Sequence, residues 1–262
     1  VSASLRGGGS LAPRAGGAGT GWREVFAVDF ADEANQTPSS NQLTFGGVVW
    51  TVEGAANDTA GGPKIASGVL SIAPDIATNV ARSSASKRSA PILLSTLTNL
   101  GCSFSSLGTH QLLVAVEIAS WSPAATQEAV RVGLENSSTP LGSGATGRGV
   151  SGGTAYSTTQ RAGAVVWQDS AGTGSTESTA SVAVRSMALL FSGPGVAVYS
   201  SATPGVYDSP EDVLAASPAI MGGSRGSATV TARDRLMLVA ESPDASSGPV
   251  VTISSIRVWE KT

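Results

Sequence analysis

The sequence predicts an all-β protein, an antiparallel two-sheet β-sandwich with an extended Gly-rich N-terminal arm. Three observations predict it. Apolar residues alternate at period two in one run after another from Val25 onward, the pattern of strands with one buried face. Clusters of Gly, Pro, Asn, Asp and Ser separate these runs, and such residues build turns. Helical periodicity is almost missing, which leaves sheet packed on sheet as the architecture.

The elements follow in order. Residues 1–22 form the arm, in which Leu5 and Leu11 are almost the only apolar side chains. Ordering such a segment costs roughly 1–2 kcal/mol per residue, and its own burial cannot offset that. A partner surface is therefore expected, with Leu5, Arg6, Leu11 and Arg14 as the partner-binding residues. Residues 23–262 form a single sandwich domain. "VFAVDF" (Val25–Phe30) places Phe26, Val28 and Phe30 on one face, and "FGGVVWTVE" (Phe45–Glu53) and "GVLSIAP" (Gly68–Pro74) continue the pattern. "QLLVAVEIASW" (Gln111–Trp121) is the strongest strand. "AVRVGLE", "AVVWQ", "TASVAVRSMALLF" and "GVAVYS" come next, and "ATVTARDRLMLVAE" and "PVVTISSIRVWEK" close the chain. The segment Asn136–Thr154 reads as a long surface loop. "SPEDVLAAS" (Ser209–Ser217) is the best helix: Ser209 caps, Pro210 suits the first turn, and Glu211 and Asp212 suit the dipole.

Composition narrows function. Charged residues make up 13% of the 262, and the net charge is −3, without the basic stripe that phosphate binding needs. Nucleic acid is not an expected partner. No apolar run reaches the roughly 20 residues of a membrane span, and the N-terminus lacks the apolar core of a signal peptide, so neither membrane insertion nor conventional export is expected. The single cysteine, Cys102, rules out an internal disulfide and reads as a small buried residue.

Catalytic and metal motifs are weak. "GSGATG" (Gly142–Gly147) precedes no helix and so makes no dinucleotide site. "GVSGG" around Ser151 and "GGSRG" around Ser224 match a hydrolase elbow, but the only histidine, His110, comes before both. Glu117 and Glu135 lie singly in strands rather than as the paired acids of glycosidases. Asp29, Asp32 and Glu33 cluster at a strand end without the spacing of a calcium loop. No metal, no cofactor and no enzymatic activity are expected. Among the aromatics, Trp50 and Trp259 read as core. Trp121 and Trp167 end their strands and, with Tyr156, are the candidate glycan contacts.

The opening "VFAVDF", the strand "VVWTV", the run "GVLSI" and the closing "ISSIRVWEK" resemble the concanavalin A-like (laminin-G-like) jelly-roll family. The resemblance implies a jelly roll with its first and last strands adjacent. The chain lacks the acidic triplet of that family's glucanases and the Asp/Asn metal loop of its legume-type lectins. Members without those sites serve as attachment or decoration modules, including on tailed-phage virions. The resulting expectation is a virion structural protein, a head-decoration, collar or tail-associated subunit assembled in the bacterial cytoplasm. Its arm would bind other virion proteins and copies of itself, and its loops would contact host-surface polysaccharide. The alternative is a free carbohydrate-binding module or adhesin.

Overall fold

Alternation along the longest strands decides the architecture. The computed structural model describes residues 21–53, 63–73, 87–88, 92–123, 128–140, 149–156, 158–169, 172–223, 233–243 and 250–262. In chain order these give β1 (Arg23–Asp29), β2 (Gln42–Phe45), β3 (Val48–Glu53), β4 (Lys64–Ala66), β5 (Val69–Ile72), β6 (Lys87–Arg88), β7 (Ile92–Thr96), β8 (Gln111–Ser120) and β9 (Ala129–Glu135). The second half holds β10 (Gly149–Tyr156), β11 (Gln160–Asp169), β12 (Gly172–Glu177), β13 (Ser186–Ser192), β14 (Gly195–Ser201), α1 (Pro210–Ala215), β15 (Ile220–Gly223), β16 (Arg235–Pro243) and β17 (Val251–Lys261).

The strands form two antiparallel sheets. One has eight strands in the order β15-β14-β13-β8-β17-β5-β4, with β1 also paired to β17. The other has nine in the order β12-β11-β10-β9-β16-β7-β3-β2, with β6 on β16. Val28 pairs with Ile256 and Phe26 with Val258, so the first and last strands are neighbours. This is the jelly-roll-like sandwich that the sequence predicts.

The core lies between the sheets. β8 turns Leu112, Val114, Val116 and Ile118 inward, where they join Val130, Val132 and Leu134 of β9. At one end Phe45 stacks on Trp50 with ring centres 4.9 Å apart, and Phe26 meets Trp50 edge-on at 5.8 Å. A second apolar cluster sits on the outer face of the eight-stranded sheet: Leu113, Ala115 and Trp259 pack with Tyr199, Tyr207 and Val213 of α1. Trp22 belongs to this cluster, with the Lys261 ammonium 5.8 Å from its ring centre. The helix forms as its cap predicts, with Ser209 Oγ accepting from the Asp212 amide at 3.2 Å.

One expectation changes. Gly149–Thr154, read as part of a surface loop, lies in β10, every residue of which except Tyr156 is buried. Its glycines obscured the strand, yet the packing requires them: a Cβ on Gly153 would lie 1.9 Å from the Val130 carbonyl oxygen.

Candidate functional site

In the nine-stranded sheet Arg131 and Glu135 alternate outward from β9, away from Val130, Val132 and Leu134. On β16, Arg235 faces Glu135 and Glu241 faces Ala129. The strand pair thereby brings complementary charges into register. Arg131 Nε donates to Glu241 Oε2 at 2.8 Å, and Arg235 Nε donates to Glu135 Oε1 at 2.8 Å. On β10, Ser151 faces Gly133 and Gly153 faces Arg131, so Ser151 and Arg131 are diagonal neighbours on the same face.

This outer face is itself buried. Arg131 is 1% exposed, and Ser151, Glu135 and Met237 are fully buried. Among the described residues Arg131 Nη1 and Ser151 Oγ find no hydrogen-bond partner. A buried polar group left in that state costs about 1–3 kcal/mol, and a ligand that supplies the missing partner recovers it. Gly133, Gly153 and Ala129 adjoin the two groups along β9 and β10, while Val239 stands opposite Arg131, Val166 opposite Ser151, and the Met237 methyl lies over Gly133. The face thus offers a guanidinium donor and a hydroxyl between glycines and a rim of Val166, Met237 and Val239. The complementary pattern was visible in "AVRVGLE" and "RLMLVAE", each with a basic and an acidic residue at outward positions. The register that joins them was not.

Glu117 and Glu135 lie on opposite sides of the molecule. Glu117 points outward from β8 in the eight-stranded sheet, where Ser186 Oγ and the Gly205 amide approach its carboxyl group. Glu135 and Glu241 share a face, but Glu241 faces Ala129, six positions from Glu135 along β9, or about 20 Å at strand spacing. The acid pair of a glycosidase, roughly 5–9 Å apart, is not formed by these two.

The aromatic candidates fall on separate strand ends. Trp121 follows β8, is half-buried and packs on the inter-sheet core. Tyr156 ends β10 and is half-buried. Trp167, expected near the surface, is 8% exposed within the core and lies against Gly174, leaving no stacking face. Leu5, Arg6, Leu11 and Arg14 lie outside the described residues, as do Gly142–Gly147 and Ser224. Asp29 Oδ1 accepts from the Ala31 amide at 3.0 Å and Glu33 Oε1 from the Gly46 amide at 2.7 Å. Among the described residues no three His, Cys, Asp or Glu side chains converge as a metal site would need. His110 stacks on Phe104 with ring centres 4.4 Å apart. Cys102 is buried, and burial, with Glu260 adding, pushes its thiol up to about 12.

No family model matches the chain, and no curated protein matches it. Solved structures do. A variant of the GH43 protein BlXynB from Bacillus licheniformis is similar at 11% identity and a TM-score of 0.49, over 88% of this chain and 38% of that one. SCLam, a non-specific endo-β-1,3(4)-glucanase of family GH16, is similar at 10% identity and a TM-score of 0.47, over 96% and 95%. An endo-1,3-β-glucanase from Streptomyces sioyaensis is similar at 11% and 0.43, over 93% and 98%. The likeness concerns the fold. The expectation of a non-enzymatic protein is withdrawn: the solved structures similar to this chain include endo-glucanases matched over nearly their whole length.

Proposed function

We propose that the protein recognises carbohydrate on the outer face of its nine-stranded sheet. The observation that carries this reading is the pair of buried, unpartnered polar groups, Arg131 Nη1 and Ser151 Oγ, side by side above glycines. Sugar hydroxyls both donate and accept, and convergent polar groups suit them. Both groups are out of contact with solvent, so a sugar reaches them only after a local opening, and association is expected to be slow. Trp121 and Tyr156 remain candidates for further glycan contact.

The setting we propose is an attached subunit of a tailed phage or phage-like particle, held by residues 1–22 to other virion proteins and to copies of itself. One observation favours attachment. Trp22 enters the fold on the outer face of the eight-stranded sheet, the side opposite the candidate face, so a tether there leaves that face free.

The test is affinity electrophoresis against glucans, galactans, xylans and bacterial surface polysaccharides, with Ser151→Ala as the variant. The full chain is expected to be retarded by at least one polymer. Ser151→Ala should lose about tenfold in affinity, some 1.4 kcal/mol, while melting no lower than the parent, because it removes an unsatisfied buried hydroxyl. Equal retardation of both proteins, or none by any polymer, overturns the reading. Shortening of the polymer during the run assigns hydrolysis as well as binding.

A further inference from the structure

A strand at the end of a sheet presents a row of unpaired N–H and C=O groups, and another strand pairs with them unless something covers the row. On one side of this sandwich the rows are covered. On β2, the Gln42 amide and carbonyl bond to Ser39 at 3.0 Å and 2.9 Å. The Gln36 side chain donates to the Thr44 carbonyl at 2.5 Å and accepts from the Thr44 amide at 3.1 Å. The backbone of the same Gln36 bonds to Ile65 of β4 at 2.9 Å in both directions. One residue thus seals the edges of both sheets.

The other side is open. β12 ends the nine-stranded sheet, and the Ser178 amide donates to the Gly163 carbonyl at 2.8 Å, in step with the pairing of β12 on β11. Backbone groups alternate sides along an antiparallel strand. Gly172, Gly174 and Thr176 therefore bond to β11, while Thr173, Ser175 and Glu177 turn their N–H and C=O groups outward. Among the described residues no strand pairs with that row. The usual protections are missing too, for β12 holds no proline, no lysine and no bulge. β15, at the end of the other sheet, lies against it: a Cβ on Gly222 would stand 3.2 Å from Thr176 Oγ1. β15 also carries Met221, which is 69% exposed.

We propose that β12 is a self-association edge, which pairs antiparallel with β12 of a second copy across a two-fold axis at Ser175. Charge selects the register. Glu177 is the only charged residue of the strand, and centring on Ser175 sets each Glu177 opposite Thr173 of the other copy, so no like charges face each other. The contact is isologous and closes at two chains. It joins the two nine-stranded sheets into one, and it brings the β15 edges, each with its Met221, to the same boundary. The contact is small, so association is expected at micromolar and not at nanomolar concentration. For the carbohydrate reading above, on which this step alone rests, the axis sets two candidate faces side by side. Ser151 stands opposite Val166, and Val166 opposite Ser175. The two Ser151 residues then share one row of the same outer face, about 24 Å apart at strand spacing. A single polysaccharide chain meets both, with the avidity that linked sites give.

Sedimentation velocity of the full chain without carbohydrate, between about 1 µM and about 100 µM, tests the pairing. The mean mass of the parent should double over that range. Ser175→Glu and Ser175→Lys each set like charges opposite at the axis and should associate about fivefold more weakly. Their equimolar mixture should associate at least as tightly as the parent. A parent mass that does not change with concentration overturns the proposal. So do variants that associate as the parent does, and a mixture that stays dissociated. Should a variant fail to fold, amide hydrogen exchange of the parent decides. Ser175 and Glu177 should exchange about fivefold more slowly at the high concentration, and equal rates at both concentrations overturn the pairing. Carbohydrate is absent throughout, so failure here leaves the recognition reading to its own test.

Discussion

Arg131 and Glu241 are removed from water almost completely, with side-chain exposures of 2% and 0%. Desolvating two charges costs several kcal/mol per ion, and the mutual attraction repays it only while both partners are present. Glu241→Gln leaves a buried guanidinium without its counter-charge, and about 3–5 kcal/mol of stability should be lost. Arg131→Met combined with Glu241→Leu should recover most of that loss, since paired apolar replacement of a buried ion pair is often neutral. Urea denaturation of the single and double variants measures both effects. Equal losses would mean that the face needs the charges themselves for its fold. Gly153 sets a different constraint on the same surface. The Val130 carbonyl oxygen occupies the space a Cβ would need, so Gly153→Ala should cost at least about 2 kcal/mol, the scale of overpacking, in the same assay.

At the level of elements, α1 shows how far a local signal reaches. Its cap, its first-turn proline and its two early acids are all adjacent in sequence, and the helix starts where they place it. Ser209→Ala should destabilise the protein by about 1 kcal/mol, read as a lower urea midpoint with an unchanged slope. Strands with strong alternation were equally legible. Phe26 and Val28 in β1, Phe30 in the short turn of 3-10 helix that follows it, and Leu112, Val114, Val116 and Ile118 in β8 turn inward as their spacing says. β10 was not legible, because glycine and serine in "GVSGG" carry no hydrophobic period; the strand is imposed by its neighbours β9 and β11. Trp167 was misplaced for a related reason. Its position near a strand end suggested exposure, but β12 folds back beside it and Gly174 closes over the ring. The candidate face was hidden more deeply still. Arg131, Glu135, Arg235 and Glu241 are ordinary outward residues in sequence, and only the antiparallel register of β9 and β16 makes them two pairs flanking an unpartnered serine.

For the whole molecule, the seating of Trp22 on the outer face of the eight-stranded sheet gives the proposed attachment its physical content. The outer face of the eight-stranded sheet carries the apolar cluster that takes in Trp22, with the Arg257–Glu24 pair beside it, and the outer face of the nine-stranded sheet carries the pairs Arg131–Glu241 and Arg235–Glu135 with an apolar cluster of Ile92, Leu94, Met237 and Val239. Arg23 binds Glu260 directly and its guanidinium donates to the Gly101 carbonyl at 3.0 Å, so the chain is fastened just past the tryptophan as well. Two shortened chains separate anchoring from folding. One begins at Gly21 and keeps Trp22; the other begins at Arg23 and lacks it. The chain from Gly21 should melt with the full-length protein, whereas the chain from Arg23 should lose about 2 kcal/mol through the missing buried indole. Mass photometry then reports assembly. If residues 1–20 are the anchor, both shortened chains remain single while the full chain forms larger species or joins its particle. If all three behave alike in assembly, the arm anchors nothing, and carbohydrate recognition stands as the property of a free module.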